Sequence, residues 1–336
     1  MRIGVLISGG DCPGINAAIW SICKSAAAHG MEVMGIQSGF MGLLTREVEI
    51  IKDHELSGLL SLGGAILGTS REKPFKKGGI MPDTDKPALM LQNIRDLQLD
   101  AIVCIGGNGT LETAAKMVDM GIDVVCFPKT IDNDIPATDL SFGFDSAVTI
   151  ATDAIDRLNC TASSHKRVMV IEVMGAQTGW IALHSGMAGA ADVILLPEHP
   201  YDISVVGDAL LDRFRRGRPS SVVVAAEGIP VSNSRKRAGE FIAEEIEYET
   251  GIETRQTVLG YIQRGGTPTP LDRNLATRLG CHAVELIAQR RFGRMVALQG
   301  GKICSVPIKD IAGKVKRVPT TNDLLLQGRQ IGICFG

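Results

Sequence analysis

Short apolar runs alternate with longer amphipathic segments along most of the chain, and this alternation restricts the fold more than any other feature. The apolar runs are rich in Val, Ile and Leu, as expected for strands buried on both faces of a parallel sheet. They are Ile3–Ile7, Val33–Ile36, Ala101–Ile105, Val124–Phe127, Val168–Val173, Val193–Leu196, Val222–Ala226 and Met295–Leu298. The helix-like segments are Asn16–Ala28, Leu111–Met120, Ser146–Leu158, Trp180–Met187, Val205–Phe214, Ala238–Tyr248 and Asp272–Ala288. The pattern predicts βαβ units and mostly parallel sheet.

Length and composition exclude several classes of protein. The 336 residues suffice for roughly two domains. A formal net charge of −2 gives no overall attraction to nucleic acid or to an anionic membrane. We find no apolar run long enough for a membrane span, and the N-terminal apolar stretch is too short for a secretory signal. The eight cysteines include no C-x-x-C pair, so we expect reduced thiols in a cytoplasmic protein.

Glycine clusters stand where three predicted strands end. They lie in residues 8–16, 63–71 and 106–110. Ligands of open parallel sheets bind beyond the carboxyl ends of the strands, and glycine lets a phosphate approach the backbone. One such loop is as often a plain turn, but three in one chain, one closed by Arg71, favour a phosphate-rich ligand. The P-loop and the dinucleotide-binding fingerprint are both missing, which argues against an NAD-dependent oxidoreductase.

An acidic turn and three arginines add further candidates. Residues 128–134 contain Asp132 and Asp134 directly after a predicted strand. Such a pair can divide proton acceptance from metal binding, although Asp and Asn also favour ordinary turns. Arg167, Arg255 and Arg264 lie near strand ends, and arginine binds phosphate through two parallel hydrogen bonds.

At this point five motifs together resemble the 6-phosphofructokinase family over roughly residues 1–310. The motifs are Gly9-Gly10-Asp11-x-Pro13-Gly14-x-Asn16, Gly106-Gly107-x-Gly109-Thr110, Pro128-x-Thr130-Ile131-Asp132-Asn133-Asp134, Glu172-Val173-Met174-Gly175 and Gln263-Arg264-Gly265-Gly266-x-Pro268. The resemblance implies the phosphofructokinase fold: α/β, with two doubly wound, mostly parallel-sheet domains and the active site between them. We expect a nucleotide-binding domain at 1–143 plus 263–312 and a fructose-6-phosphate-binding domain at 144–262 plus 313–336.

The resemblance also implies an activity and an assembly. The reaction would be the Mg²⁺-dependent transfer of the γ-phosphoryl group of ATP to the 1-hydroxyl of fructose 6-phosphate, a step of glycolysis. In the family, arginines that match Arg167 and Arg255 reach in from a neighbouring subunit. A homo-oligomer with shared sites, usually a tetramer, is therefore expected.

Roles carry over to the matching residues. Asp132 matches the catalytic base, with Thr130 beside it, and Arg71 matches the residue that stabilises the transferring phosphoryl group. The residues implied to bind ATP are Gly10, Arg71, Glu72, Gly107, Asn108, Gly109 and Thr110. Those implied to bind the sugar phosphate are Thr130, Ile131, Asp132, Arg167, Met174, Gly175, Ala176, Glu227, Arg255, Tyr261 and Arg264. Asn108 and Asp134 are the implied metal ligands.

The chain departs from the family pattern at four positions. Asn108 replaces an aspartate near the metal, Ala176 an arginine, and Tyr261 a histidine. Trp20 stands where the best-known bacterial enzymes place an effector-binding arginine. Nearby positive charge remains, so effector control is left open; the charged residues are Lys24, Arg157, Arg216 and Arg218.

The phosphoryl donor is predicted from two residues that disagree. Gly109 matches ATP-using members, whereas Lys129 matches diphosphate-using members, which carry aspartate at the position of Gly109. An aspartate would exclude ATP by overlap and charge repulsion, whereas a lysine only adds a flexible cation. We therefore expect ATP, with a diphosphate-dependent enzyme as the alternative. A non-catalytic sugar-phosphate-binding subunit is a further alternative, opposed by the presence of Asp132 and Asp134.

Overall fold

The structure is a computed structural model that describes residues 1–76, 78, 81, 84–232 and 235–336. The chain divides into two compact units. Unit 1 comprises Met1–Thr130, Ile135–Asp145 and Arg264–Val315, and unit 2 comprises Ile131–Asp134, Ser146–Gln263 and Lys316–Gly336. Which unit binds the nucleotide and which binds the sugar phosphate stays a prediction.

Strands and helices alternate through both units, as the apolar pattern predicts. In chain order they are β1 (Arg2–Ser8), α1 (Ile15–Ala28), β2 (Glu32–Ile36), α2 (Phe40–Thr45), β3 (Val48–Ile50), α3 (Lys86–Asp96), β4 (Ala101–Gly106), α4 (Asn108–Asp119), β5 (Val124–Pro128), α5 (Phe144–His165), β6 (Val168–Val173), α6 (Trp180–Ala188), β7 (Val193–Leu195), α7 (Ile203–Arg215), β8 (Ser221–Ala226), α8 (Ala238–Thr250), β9 (Thr254–Val258), α9 (Pro270–Ala288), β10 (Arg294–Gln299), β11 (Lys302–Pro307), α10 (Ile308–Ile311) and α11 (Asp323–Gln330). Short 3-10 turns lie at Asp53–Leu56, Leu59–Ser61 and Gly260–Arg264.

Unit 1 contains a seven-stranded sheet in the order β11-β10-β5-β4-β1-β2-β3. Its five inner strands are parallel, whereas β3 and β11 pair antiparallel at the two edges. The chain leaves β1 toward β2 on one side and later returns to β4 on the other. This reversal creates a switch point at the carboxyl end of β1, the usual ligand position in doubly wound sheets.

Unit 2 contains a four-stranded parallel sheet in the order β7-β8-β6-β9. Every residue of β6 and β8 is buried, which explains why their sequences are apolar apart from Glu172 and Ser221. All eight strands and all seven helices predicted from the sequence are confirmed. No helix among the described residues has the length and apolar character that crossing a bilayer requires.

Helices α1 and α9 pack closely in unit 1 because a glycine and a serine face each other. An ideal Cβ on Gly280 would lie 1.8 Å from Ser21 Oγ and 2.7 Å from Ser21 Cβ. Ser21 is buried, and its hydroxyl donates to the carbonyl of Ala18 (2.9 Å) and to that of Ala276 in α9 (3.3 Å). Gly280 therefore has a packing role that outweighs its poor helix propensity.

We predict that Gly280→Ala lowers the free energy of unfolding by about 1–3 kcal/mol, the usual range for overpacking a core. Helix propensity alone would give a gain of about 1 kcal/mol, so the sign separates the two effects. Urea unfolding followed by circular dichroism measures the change. The double variant Ser21→Gly/Gly280→Ala should recover part of the loss, and a stabilised single variant would contradict the packing role.

Candidate active site

The first glycine loop is supported by a buried lysine. The Lys129 side chain is only 2% exposed, and its ammonium donates to the carbonyl of Ser8 (2.9 Å) and to that of Gly10. A buried ammonium is stable only where such acceptors satisfy it. The interpretation of Lys129 as a flexible cation is therefore wrong: its side chain is fixed to the backbone of the loop.

A buried asparagine joins the second glycine loop to α1. Asn16 is fully buried; its amide group donates to the carbonyls of Leu62 (3.0 Å) and Gly63 (3.2 Å). Its oxygen accepts from the Ile66 N–H at 2.9 Å. The sequence motif contains Asn16, but its role in holding the loop was not predicted.

The second loop follows the 3-10 turn Leu59–Ser61, so the prediction that a strand ends there is wrong, but the loop runs directly along the first. The Gly9 N–H donates to the Ser70 carbonyl (2.9 Å), and the Thr69 hydroxyl donates to the Gly9 carbonyl (2.7 Å). Arg71, the predicted phosphoryl-stabilising residue, follows immediately and is exposed. In unit 1 the predicted residues Gly10 and Arg71 therefore lie on adjacent loop segments.

The third glycine loop opens α4. Gly107 precedes the first helical residue, and Asn108, Gly109 and Thr110 form the first turn. The Thr110 hydroxyl donates to the Ser8 carbonyl at 3.4 Å, which ties this loop to the end of β1. The first turn of a helix supplies N–H donors and partial positive charge, both suited to a phosphate.

Arg264 lies against the first glycine loop. An ideal Cβ on Gly10 would lie 1.9 Å from Arg264 Nη1, so any residue other than glycine would displace the guanidinium. Arg264 Nη1 also lies 3.9 Å from a carboxylate oxygen of Asp11, and the arginine side chain is 17% exposed. In unit 1 the structure therefore brings Arg264 together with Gly10 and Lys129.

Glu72 is held within the chain by a buried partner. Its carboxylate lies 2.5 Å from the ammonium of Lys86, whose side chain is 3% exposed. The same ammonium donates to the carbonyl of Lys76 (3.3 Å) and to that of Gly78. Lys86 was not predicted as part of the site, and its pairing with Glu72 fixes the segment that follows Arg71.

The thiol of Cys12, inside the first loop, has no nucleophilic role in this arrangement. Cys12 is fully buried. Burial raises the pKa of its thiol far above the ordinary range, and the nearby ammonium of Lys129 offsets only part of that shift. The thiol is therefore protonated at neutral pH.

The acidic turn belongs to unit 2, where other segments hold its backbone. The Thr178 hydroxyl donates to the Asp132 carbonyl at 3.3 Å, and the Lys316 N–H donates to the Asp134 carbonyl at 2.7 Å. Asn133 adopts a left-handed conformation, φ 50°, and its side-chain oxygen accepts from Lys316 Nζ at 3.0 Å. Ile131 and Asn133 are buried, whereas Asp132 and Asp134 are half-buried.

Trp180 fixes the lysine that supports this turn. Its indole N–H donates to the Lys316 carbonyl at 2.9 Å, and the Lys316 ammonium lies 5.4 Å from the centre of the indole ring. This cation–π contact and the hydrogen bonds give Lys316 a defined position. Lys316 was missed because a single lysine in a polar C-terminal segment carries no sequence signal.

The predicted sugar contacts lie at the carboxyl ends of β6 and β8. The Ala176 N–H donates to the Glu227 carboxylate (2.9 Å), and the Met174 N–H donates to the side-chain oxygen of buried Gln263 (3.2 Å). Gly175 has φ 145°, and a Cβ there would lie 2.4 Å from the Thr178 carbonyl. The structure thus brings Met174, Gly175, Ala176 and Glu227 together.

Arg167 and Arg255 lie at the opposite end of the same sheet. Both contact the carboxylate of Glu253, at 3.3 Å and 2.8 Å respectively. Arg167 directly precedes β6, and Arg255 pairs with the second residue of that strand. Because β6 has six residues, its two ends are about 17 Å apart. Within one chain these arginines therefore do not join the group formed by Met174 and Glu227.

Tyr261 is 75% exposed, although a neighbouring residue of its 3-10 turn, Gln263, is fully buried.

No cluster of three or more His, Cys, Asp or Glu side chains suited to a metal occurs within the described residues. Mg²⁺ usually takes only one or two carboxylates and otherwise uses phosphate oxygens and water. An amide oxygen and a single carboxylate, as in the predicted ligands Asn108 and Asp134, are donors that Mg²⁺ accepts; that they hold the metal stays a prediction.

Comparisons with known proteins agree with this architecture. Residues 2–287 match the family model described as Phosphofructokinase. The chain is 66% identical to ATP-dependent 6-phosphofructokinase 3 of Bacteroides thetaiotaomicron, over 100% of both chains. It is 46% identical to a pyrophosphate–fructose 6-phosphate 1-phosphotransferase of Amycolatopsis methanolica, over 95% of this chain and 96% of that protein.

Among solved structures, the chain resembles Pichia pastoris phosphofructokinase in the T-state, with a TM-score of 0.84 and 29% identity. The likeness covers 93% of this chain and 35% of the Pichia chain, so this chain spans about a third of that protein. Motifs, fold and the family match over most of the sequence agree: the chain belongs to the phosphofructokinase family.

Proposed function

We propose that the chain is an ATP-dependent 6-phosphofructokinase, which transfers the γ-phosphoryl group of ATP to the 1-hydroxyl of fructose 6-phosphate. The single observation that carries this proposal is the 66% identity, over the whole chain, to a relative with that name. We further propose that the reaction serves glycolysis in the cytoplasm.

In this proposal unit 1 binds the nucleotide. Its first and third glycine loops begin at neighbouring strand ends, and the second loop runs along the first. Arg71 and Lys129 supply positive charge there. Phosphoryl transfer requires mainly positioning and neutralisation of charge. Gly10, Gly107, Gly109 and Thr110 provide close backbone approach, and Arg71 stabilises the transferring group. Glu72 contributes through its backbone, because its carboxylate is paired with Lys86.

Asp132 is the base of the proposed reaction. Its carboxylate accepts the proton of the sugar 1-hydroxyl as the oxygen attacks the phosphoryl group. The fixed backbone of the turn supports this role, since Thr178 holds the carbonyl of Asp132 itself and Lys316 holds Asn133 and Asp134 directly after it. Thr130 and Ile131 position the acceptor. Mg²⁺, held by Asn108 and Asp134, would offset the charge of the phosphates.

Unit 2 binds the sugar phosphate in this proposal. Met174, Gly175, Ala176 and Glu227 form one group at the ends of β6 and β8, and Glu227 can accept hydrogen bonds from sugar hydroxyls. Tyr261 of the same unit and Arg264, which belongs to unit 1, are the further residues that we assign to the phosphate.

The position of Arg167 and Arg255 supports shared sites. They lie at the far end of β6 from Met174, and together they contact one carboxylate, Glu253. Two guanidinium groups that converge in this way suit a doubly charged phosphate. We propose that they bind the 6-phosphate of a sugar held by another copy of the chain, in a homo-oligomer that is a tetramer by likeness to the family.

A diphosphate-dependent enzyme is the second candidate, because the Amycolatopsis relative named for diphosphate is 46% identical. The candidate is weakened by Lys129, whose ammonium is bound to loop carbonyls. Gly109 favours ATP, since it has no side chain to exclude the α-phosphate and nucleoside.

For Asp132, replacement by Asn or Ser should lower kcat by about 10²-fold or more, because general-base help is lost. The KM for fructose 6-phosphate should hardly change, since the proton moves only in the transition state. Steady-state assays coupled to NADH oxidation measure both constants. Asp139→Asn is the matched control, and an Asp132 variant with near-normal kcat would exclude the role.

For the 6-phosphate, single replacement of Arg167, Arg255 or Arg264 by Ala should raise the sugar KM by about tenfold or more. Arg278→Ala, which replaces an exposed arginine on α9, is the control.

Co-expression of Arg167→Ala chains with Asp132→Asn chains tests whether two copies of the chain share each active site. At fructose 6-phosphate concentrations below the raised KM, mixed oligomers should be more active than either variant alone, because some sites combine both intact residues. Mixed oligomers no more active than the average of the separate variants would contradict shared sites.

For the donor, wild-type kcat/KM should be higher with ATP than with diphosphate, each assayed with fructose 6-phosphate and Mg²⁺. Gly109→Asp should abolish most ATP-dependent activity by overlap and charge repulsion. Lys129→Gly should lower stability, because it removes a buried ammonium and its hydrogen bonds, yet leave the ratio of the two donors unchanged. A wild-type preference for diphosphate would establish the second candidate instead.

A further inference from the structure

The side chain of Lys73 occupies the space beside Gly109. An ideal Cβ on Gly109 would lie 2.7 Å from Lys73 Nζ and 3.1 Å from its Cε. Gly109 is the second residue of α4, so the ammonium lies against the first turn of that helix. Neither the motifs nor the family resemblance pointed to Lys73.

Both sides of Lys73 are anchored. Glu72 precedes it and is paired with the buried ammonium of Lys86. Pro74 follows it and restricts the backbone of Lys73 to extended conformations. The ring of Phe75 lies 5.6 Å from the ammonium of Lys116, which belongs to α4. The position of Lys73 therefore follows from its neighbours as well as from its own side chain.

The charge of Lys73 is only partly compensated within the chain. A helix N-terminus carries partial positive charge, so an ammonium at the first turn of α4 is disfavoured. Glu112 lies 3.6 Å from Lys73 Nζ, but the two side chains are 41% and 50% exposed. Exposed pairs of this kind contribute little. An ammonium has three donors, so Lys73 can still bind an anion beside Gly109.

We propose that Lys73 binds the α-phosphate of ATP and thereby determines the preference for a nucleotide over diphosphate. The proposal rests on the proposed use of ATP, in which the α-phosphate and nucleoside pass Gly109. Diphosphate has no group at that position, so it gains nothing from Lys73. Gly109 and Lys73 act as a pair: the glycine leaves the space, and the lysine supplies an attraction that only the longer donor can use.

Lys73→Ala and Lys73→Arg test this role. Lys302→Ala, which replaces an exposed lysine of β11, is the control. Lys73→Ala should raise the KM for ATP and the Kd for ADP about tenfold, leaving the sugar KM unchanged. Inhibition by diphosphate should change less than twofold. Lys73→Arg should restore nucleotide affinity to within about threefold, and Lys302→Ala should match the wild type.

Two outcomes would overturn the inference. If Lys73→Ala leaves the ADP Kd unchanged, Lys73 forms only an ion pair with Glu112. If it weakens ADP and diphosphate equally, Lys73 binds a phosphate that both donors share and does not select between them. Calorimetric binding of ADP needs no turnover. A wild type without kinase activity would therefore refute the proposed function, whereas the Lys73 comparison would still give its own answer.

Discussion

The register of three neighbouring strands determines where the loops of unit 1 can meet. Ser8 pairs with Gly106, and Gly106 pairs with Pro128, so β1, β4 and β5 end in one row. Parallel strands need long crossover connections, and each crossover must begin at this row. Loops far apart in sequence therefore start side by side. The glycines, Lys129 and the first turn of α4 act on the same small region because of this register.

The fold could largely be predicted because its central strands are buried on both faces and so are mostly apolar. The sequence signal failed at three of the four sheet edges, those formed by β3, β9 and β11. β9 reads Thr254-Arg255-Gln256-Thr257-Val258 and has a neighbour on one side only. β3 and β11 are likewise edge strands with exposed or half-buried residues. An edge strand can be polar, since half of its surroundings are water.

The sequence indicates candidate site residues where a motif is contiguous, but it does not indicate contacts between distant segments. Glycine loops and the acidic turn are local features, readable from neighbouring residues. Lys316 and Asn133 are 183 positions apart, and only the folded chain joins them. Lys86 and Lys129 show a second limit. A lysine normally indicates a solvated surface, and nothing in the sequence marks these two as the buried cations that hold loops in place.

The hydrogen bonds of Lys129 and Asn16 have a consequence for the energetics of ligand capture. They order the first two loops through contacts inside the chain, so conformational entropy is lost at folding and not on association. The dipoles of that backbone are likewise oriented in advance, as in electrostatic preorganisation, where little reorientation accompanies the growth of charge during reaction. A more hydrated and more flexible loop of the same composition would have to orient those backbone dipoles again in every catalytic cycle.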